Sequence, residues 1–181
     1  MIYLSTIISI NIKMKTILKK IYFFMIFSPA RRTKFIRKHK EFKSVGKNFF
    51  FQPRKYPNNP SLISFGDNVS VASNVTFVNH DVMHRVFNNI EINSTREHMG
   101  TIEVGNNVFI GANVTILPNA KIGNNCIIAS GAVVSGKLKD GGIYGGVPAK
   151  KIGDFQTLFE QRKLEKERDK NKTKKQIIEE L

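Results

Sequence analysis

Residues able to do chemistry are few in this 181-residue chain, and most gather in one short stretch. Asn79-His80-Asp81 is followed closely by His84 and Arg85, whereas His39 lies in a basic arm and His98 further along the polar segment. Histidine is the natural general base near neutrality, because its unperturbed pKa lies near ~6.5. Asp81 falls where an apolar residue is expected, and an unpaired buried carboxylate is costly. Either Asp81 assists His80 or binds a hydroxyl, or it starts a loop after the chain has left the core. His84, four residues on, lines the same pocket or is exposed. Cys126 is the lone cysteine, so no disulfide framework exists within the chain. It occupies an apolar position and reads as a core thiol rather than a nucleophile. His80 and His84 alone are too few to hold zinc, and no metal is expected.

The elements that must position these groups are announced by a beat of six. Aliphatic residues recur at Val104, Ile110, Ile116, Ile122, Ile128 and Val134, with Val108, Val114, Ala120, Cys126 and Ala132 four places after each. Asn107, Asn113, Asn119, Asn125 and Gly131 fall between them, and these are the residue types that best tolerate positive φ. A helix repeats at 3.6 and a flat strand at 2, so a sustained period of six demands a hexapeptide β-helix, three repeats to a triangular coil. The fold class is therefore mainly β. The same pattern recurs upstream in another phase at Phe65–Val69, Val71–Val75 and Phe77–Asp81, with an earlier fragment at Val45–Phe51. The phases are separated by residues 82–103, a polar segment without the repeat, expected to be a loop thrown out from a coil edge. Long loops in a compact solenoid are commonly functional.

The hexapeptide run with Gly105 and Gly111, the Asn79-His80-Asp81 triplet, and the closing Gly145-Gly146-Val147-Pro148-Ala149-Lys150-Lys151-Ile152-Gly153 together resemble the left-handed β-helix acyltransferases. That group includes galactoside, maltose, chloramphenicol and serine acetyltransferases and the acetyltransferases of bacterial surface polysaccharides. The resemblance runs from about Val45 to Gly153 and supplies the left hand of the coil, which the period alone does not. It implies acetyl-CoA as acyl donor and a homotrimer with active sites between subunits. His80 matches the family's catalytic histidine, with Asp81 beside it as assistant. Asn79, His84 and Arg85 stand on the acceptor side. On the donor side the resemblance implies Gly111, Ala112, Ser130, Ser135, Lys150 and Lys151, where small residues admit the pantetheine backbone and lysines answer phosphate charge. Relatives commonly carry Thr-Lys after the last Val-Val pair, where this chain has Ser135-Gly136-Lys137. The hydroxyl is kept, and the cation is displaced by one position.

The implied reaction is O-acetylation of a sugar or surface-polysaccharide precursor, with N-acetylation of an amino sugar or small amine as the alternative. A non-catalytic β-helix scaffold is the reading from another class. The γ-type carbonic anhydrases share the solenoid but need histidines from adjacent coils, and the later repeats have none.

The net charge of +15 is unevenly placed. Residues 1–47 hold twelve Lys and Arg against a single acid, Glu41, whereas 48–149 is nearly neutral. The chain divides into a basic N-terminal helical cap segment (1–44), a β-helix domain (45–153, with loop 82–103) and a charged C-terminal helix and tail (154–181). In the tail, Phe155, Leu158 and Phe159 are spaced to bury one helix face, and 172–175 is expected to fray. Neither apolar run in the first 27 residues reaches the ~20 residues needed to span a bilayer. No basic region precedes the first run, so a cleaved signal is not expected, and Met14 is an alternative start. The arm is expected to cap the open top coil, with peripheral contact to an anionic membrane surface as a second reading. No nucleic-acid motif is present and no such partner is expected. The expected location is cytoplasmic, in the second reading at the inner face of the membrane.

Overall fold

The computed structural model describes residues 2–170 and 172–179. Successive strands are short because each repeat allows only two or three extended residues before a corner. The first turn of the solenoid has two strands, β1 (Ser44–Val45) and β2 (Phe50–Phe51). Three-stranded coils follow: β3 (Ile63–Phe65), β4 (Val69–Val71) and β5 (Thr76–Phe77); β6 (Ile102–Val104), β7 (Val108–Ile110) and β8 (Thr115–Ile116); β9 (Lys121–Ile122), β10 (Cys126–Ile128) and β11 (Val133–Val134). β12 (Lys137–Leu138) and β13 (Gly142–Gly145) end the coil, and β14 (Lys150–Asp154) folds back antiparallel on β13. Stacked strands make three sheets, β1-β3-β6-β9-β12, β14-β13-β10-β7-β4-β2 and β11-β8-β5, parallel except at β14. This is the parallel β-helix the period demanded.

Every inward position read from the beat is buried, from Val104 and Val108 through Ala132 and Val134. All five corner residues between them have positive φ, from 52° at Asn125 to 76° at Gly131. The corner between the first two sheets carries a second device. Lys47 N–H donates to Asp67 Oδ1 (2.6 Å), Asp67 N–H to Asn106 Oδ1 (2.7 Å), Asn106 N–H to Asn124 Oδ1 (2.9 Å) and Asn124 N–H to Asp140 Oδ1 (3.0 Å). One position on, Asn68 donates to Asn107 and Asn107 to Asn125 through their side-chain amides. The residue before each ladder step is glycine for a steric reason. A Cβ on Gly105 would lie 2.8 Å from both the Gly123 carbonyl and Asn124 Oδ1.

The period is broken three times, first by a turn of 20 residues between Lys47 and Asp67. Asn107 and Asn125 stack 18 residues apart, but Asn68 and Asn107 are 39 apart. The excess is the excursion after β5. It is not wholly irregular: it contains helix α3 (His84–Ile90) and rejoins the coil at Ile102 rather than after residue 103. An antiparallel bridge between His80 and Met99, with Gly100 N–H donating to Asn79 O (2.8 Å), pinches its base. The last coil is two residues short, Asn124 meeting Asp140 after only 16.

Helix α1 (Ile2–Met25) runs unbroken through what the sequence offered as two apolar runs, and α2 (Pro29–His39) turns back beneath a Ser28 N-cap. Together they close the top of the solenoid. Phe23, fully buried, packs edge-on against Phe35, Phe51 and Tyr56, with Tyr56 at 4.9 Å. Below them Phe42, Phe49, Phe65 and Phe77 continue the aromatic column into the second coil. Two arginines, one from the basic arm and one from the segment after β2, serve the exit of α1. Arg32 is buried and donates to the Ile26 and Phe27 carbonyls, and Arg54 lies over the Phe24 and Phe27 rings while donating to Phe24 O. Cations are favoured there because a helix C-terminus exposes unpaired carbonyls and the negative dipole end. At the other end, α4 (Phe155–Arg168) starts under an Asp154 N-cap and a short α5 (Lys174–Glu179) follows. The face expected to bury Phe155, Leu158 and Phe159 is only partly covered: Phe155 and Leu158 are half-buried and Phe159 is 50% exposed, with α4 packing on β14. No helix among the described residues is long and apolar enough to cross a membrane.

Truncating a fully buried Phe that closes a core costs about 3–5 kcal/mol. Phe23→Ala should therefore lose stability of that order in chemical denaturation. A variant as stable as the parent would show that α1 rests on the coil without holding it closed.

Candidate active site

The corner that ends β5 is where the coil opens, and the side chains there are not arranged as their order in the sequence suggested. Asn79 does not face an acceptor: it is fully buried, and its Nδ2 donates to the carbonyls of Asn58 (2.8 Å) and Asn59 (2.9 Å). With both N–H groups spent on carbonyls, the amide orientation is fixed and Oδ1 is turned to His80 Nδ1, 3.3 Å away. A carbonyl oxygen can only accept, so this contact places the proton on Nδ1 and leaves Nε2 with a free lone pair. His80 is not among the positive-φ residues, so it is not there merely as a corner former.

Asp81 makes no hydrogen bond to the imidazole among the described residues. Its carboxylate accepts from Met83 N–H (3.0 Å), while its own N–H donates to His98 O (3.1 Å). The chain has left the core by Asp81, which removes the burial penalty that would have required a charged partner. His84 is half-buried on α3 with Nδ1 enclosed and unpaired, and Arg85 beside it is exposed. Neither lines the cleft described next. His98, at the returning end of the excursion, meets Asn119 of the following coil (3.3 Å).

His80 opens into a cleft of about 590 Å³, whose other wall comes from α1 and from the irregular chain between β2 and β3. Lys19, Lys20, Glu41, Tyr56 and Asn58 line it. Glu41 is paired with Lys19 and accepts from Tyr56 Oη (2.8 Å), while Lys20 Nζ donates to Asn58 Oδ1 (2.7 Å). Burial alone would raise the pKa of Glu41, but hydrogen bonds from Lys19 and Tyr56 together outweigh it and hold the carboxyl below its usual range. Burial first, then the bond to Glu41, raises the Tyr56 phenol. None of these residues belongs to a repeat, which is why the period gave no access to them. The one available signal was Glu41, the single acid among the first 47 residues.

The expected donor residues fall into two columns. Gly111 and Ala112 lie over Ser130: a Cβ on Gly111 would sit 2.7 Å from Ser130 N, and Gly131 N–H donates to Ala112 O (2.9 Å). Gly145 continues this corner below Ala129 and pairs with Lys150, with exposed Lys151 alongside. Ser135 is elsewhere. It follows β11, in register beneath Leu117 and Val78, and so shares the His80 corner at the far side of the three-stranded sheet. Cys126 is fully buried, and burial raises its thiol pKa. Among the described residues no group of His, Cys, Asp and Glu could hold a metal ion.

A parallel coil of 18-residue turns, broken at one corner by an excursion that begins beside a fixed histidine, defines the class. The family description "Bacterial transferase hexapeptide (six repeats)" matches residues 101–136, which lie within the β-helix. It is 34% identical over 113 residues to the galactoside O-acetyltransferase of Escherichia coli (strain K12), covering 61% of this chain and 53% of that protein. It is 39% identical over 110 residues to Protein CapG of Staphylococcus aureus, covering 61% and 62%. The chain thus spans between half and two thirds of the length of these curated relatives. A galactoside acetyltransferase solved in complex with coenzyme A superposes with a TM-score of 0.53 at 26% identity, covering 76% of this chain and 78% of that one. A maltose O-acetyltransferase from Clostridium difficile 630 shares the fold with a TM-score of 0.57 at 24% identity, covering 77% and 84%.

Because the folded pKa of Glu41 is depressed, its contribution to stability is complete above the ordinary glutamate value of ~4.3 and is lost as pH falls through the lower folded value. Acidification below pH ~4.3 should lower the thermal midpoint of the parent more than that of Glu41→Gln. Parallel decline of the two midpoints would show that the carboxylate contributes nothing.

Proposed function

We propose that the protein is an acetyl-CoA-dependent O-acetyltransferase acting on a sugar or surface-polysaccharide precursor, with His80 as general base. The observation that carries this reading is the imidazole lining the cleft with its Nδ1 held by Asn79, which leaves Nε2 as the nitrogen able to accept a proton. A hydroxyl entering the cleft gives its proton to Nε2 as its oxygen attacks the thioester carbonyl carbon. The C–S bond then breaks, and the imidazolium returns the proton to the departing sulfur. Activation of a hydroxyl needs this base, since the thioester is already reactive. The name of one curated relative, a galactoside O-acetyltransferase, supports a sugar acceptor.

In this reading Asn79 positions His80 in place of Asp81. Gly111, Ala112, Ser130, Ser135, Lys150 and Lys151 meet acetyl-CoA. His84 and Arg85 act, if at all, from outside the cleft of their own chain. The donor column and the His80 corner lie on opposite edges of one sheet, so in this reading the donor column of a second copy lies beside the His80 cleft of the first. A homotrimer supplies that second copy. It also covers the excursion, where Val86, Phe87, Ile90 and Ile92 stand exposed, Ile92 at 86%. Membrane contact is a further part of the proposal. Met14, Ile17, Leu18, Ile21, Tyr22 and Met25 form an exposed stripe on α1 at i, i+3, i+4, i+7, i+8 and i+11, flanked by Arg31, Lys34 and Lys38 of α2. Such a basic-rimmed apolar face suits the anionic inner leaflet, with the enzyme on the cytoplasmic side.

His80→Ala should lower acetyl transfer by about 10²–10⁴-fold while leaving the thermal midpoint and CoA binding intact. Near-normal turnover at saturating donor and acceptor would remove His80 from the role. Light scattering should give the trimer mass, and the protein should co-sediment with anionic but not neutral vesicles, less so as salt rises. A stable monomer overturns the shared-site geometry, and absence of vesicle binding at low salt leaves α1 as a cap only.

A further inference from the structure

The charges around the His80 cleft do not balance. Glu41 is its only carboxylate among the described residues, and it is already engaged by Lys19 and by the Tyr56 hydroxyl. Lys20, one position along α1, has its ammonium on the side-chain oxygen of Asn58, a neutral acceptor. Lys20 is half-buried, so its remaining hydration is reduced without a counter-charge to replace it. An ammonium bound to a neutral amide makes a charge-assisted hydrogen bond but meets no opposite charge, which an anionic group would supply. The cleft volume of about 590 Å³ falls within the range of small-molecule sites, with His80 and Lys20 on the same wall-lined space.

We propose that the acceptor is an anionic sugar, a uronate or a sugar phosphate, whose acid group displaces Asn58 from Lys20 while a hydroxyl reaches His80 Nε2. This rests on the reading of His80 as the base and adds the substrate class. The Lys19–Glu41–Tyr56 group is the fixed part of the wall. Glu41 cancels Lys19, so that one cation, Lys20, is left to select charge. The carboxylate also disfavours an acid group placed against Tyr56, which restricts the anion to the Lys20 end of the cleft.

The test uses the full-length protein and three matched probes: methyl glucoside, methyl glucuronide and glucose 1-phosphate. Binding is followed by saturation-transfer NMR, and acetylation by release of free thiol from acetyl-CoA. At least one anionic probe should bind about 10- to 100-fold more tightly than the neutral one, the range expected for one charged hydrogen bond, and the difference should shrink with salt. Which anion is preferred separates the uronate from the phosphate. Lys20→Gln should abolish the preference, and so should Asn58→Asp, which supplies Lys20 with an internal carboxylate while keeping the lysine. Equal binding of the three probes, or a preference that survives both substitutions, overturns the proposal, as does failure of both anionic probes to bind. A charge preference that persists in His80→Ala together with undiminished turnover would leave Lys20 as the selector and refute only the base.

Discussion

The structure depends on stacking in register. Each coil presents its Asn and Asp oxygens at the height of the next coil's N–H groups, so one residue of slip would break every rung from Lys47 to Asp140 together. A single corner bond contributes little, about 1 kcal/mol. The ladder matters because it is cooperative in geometry: glycine precedes each rung, which lets backbones approach until the next carbonyl would touch a Cβ. Solenoid stability is close to a sum of neighbour terms. A register shared by all coils is therefore what turns weak corner contacts into one fold.

Rigid periodicity leaves no room for a site, and chemistry enters where the period fails. At the corner after β5 the chain leaves for the excursion, and the backbone groups freed there must find new partners. Asn79 solves that problem. Its main-chain carbonyl receives Gly100 and its side chain ties down Asn58 and Asn59, so the excursion base and the irregular segment before β3 are joined through one buried amide. The same amide turns its oxygen to His80. Closing the structural gap and fixing the tautomer of the base are thus one act of hydrogen bonding.

What could be read from the sequence follows from how local its cause is. The inward residues and the positive-φ corners from Asn107 to Gly131 were legible because each is set within one repeat. His80 was legible as a break in that pattern. Asn79 turns inward and Asp81 starts the loop, the second of the two readings open for it, because a one-residue offset at the exit moves a side chain from core to loop. Lys19, Lys20 and Tyr56 carry no repeat signal, and their approach to His80 is decided by the packing of α1 through Phe23. The helix in 82–103 and the exposed face of α4 were missed for a related reason: neither is more than partly covered by this chain, so no apolar period within it specifies what they pack against.

The N-terminal arm joins these strands of argument. Its apolar residues on one side, led by Phe23, seal a coil that would otherwise end in exposed Phe49 and Phe51. That docking carries Lys19 and Lys20 to the cleft rim as a geometric consequence, since they lie four and three residues before Phe23 on the same helix. A lysine facing both its own cap and the site cannot be neutralised by a nearby acid without losing selectivity, and the segment has only Glu41, which pairs with Lys19. The excess charge of the first 47 residues is then partly structural, at Arg32 against the α1 carbonyls, and partly turned to the cleft, at Lys20 on Asn58. A β-helix with a different cap would keep its histidine at the coil exit yet line the cleft with other side chains. In the proposed reading, acceptor choice is therefore set outside the repeats, by whatever closes the coil.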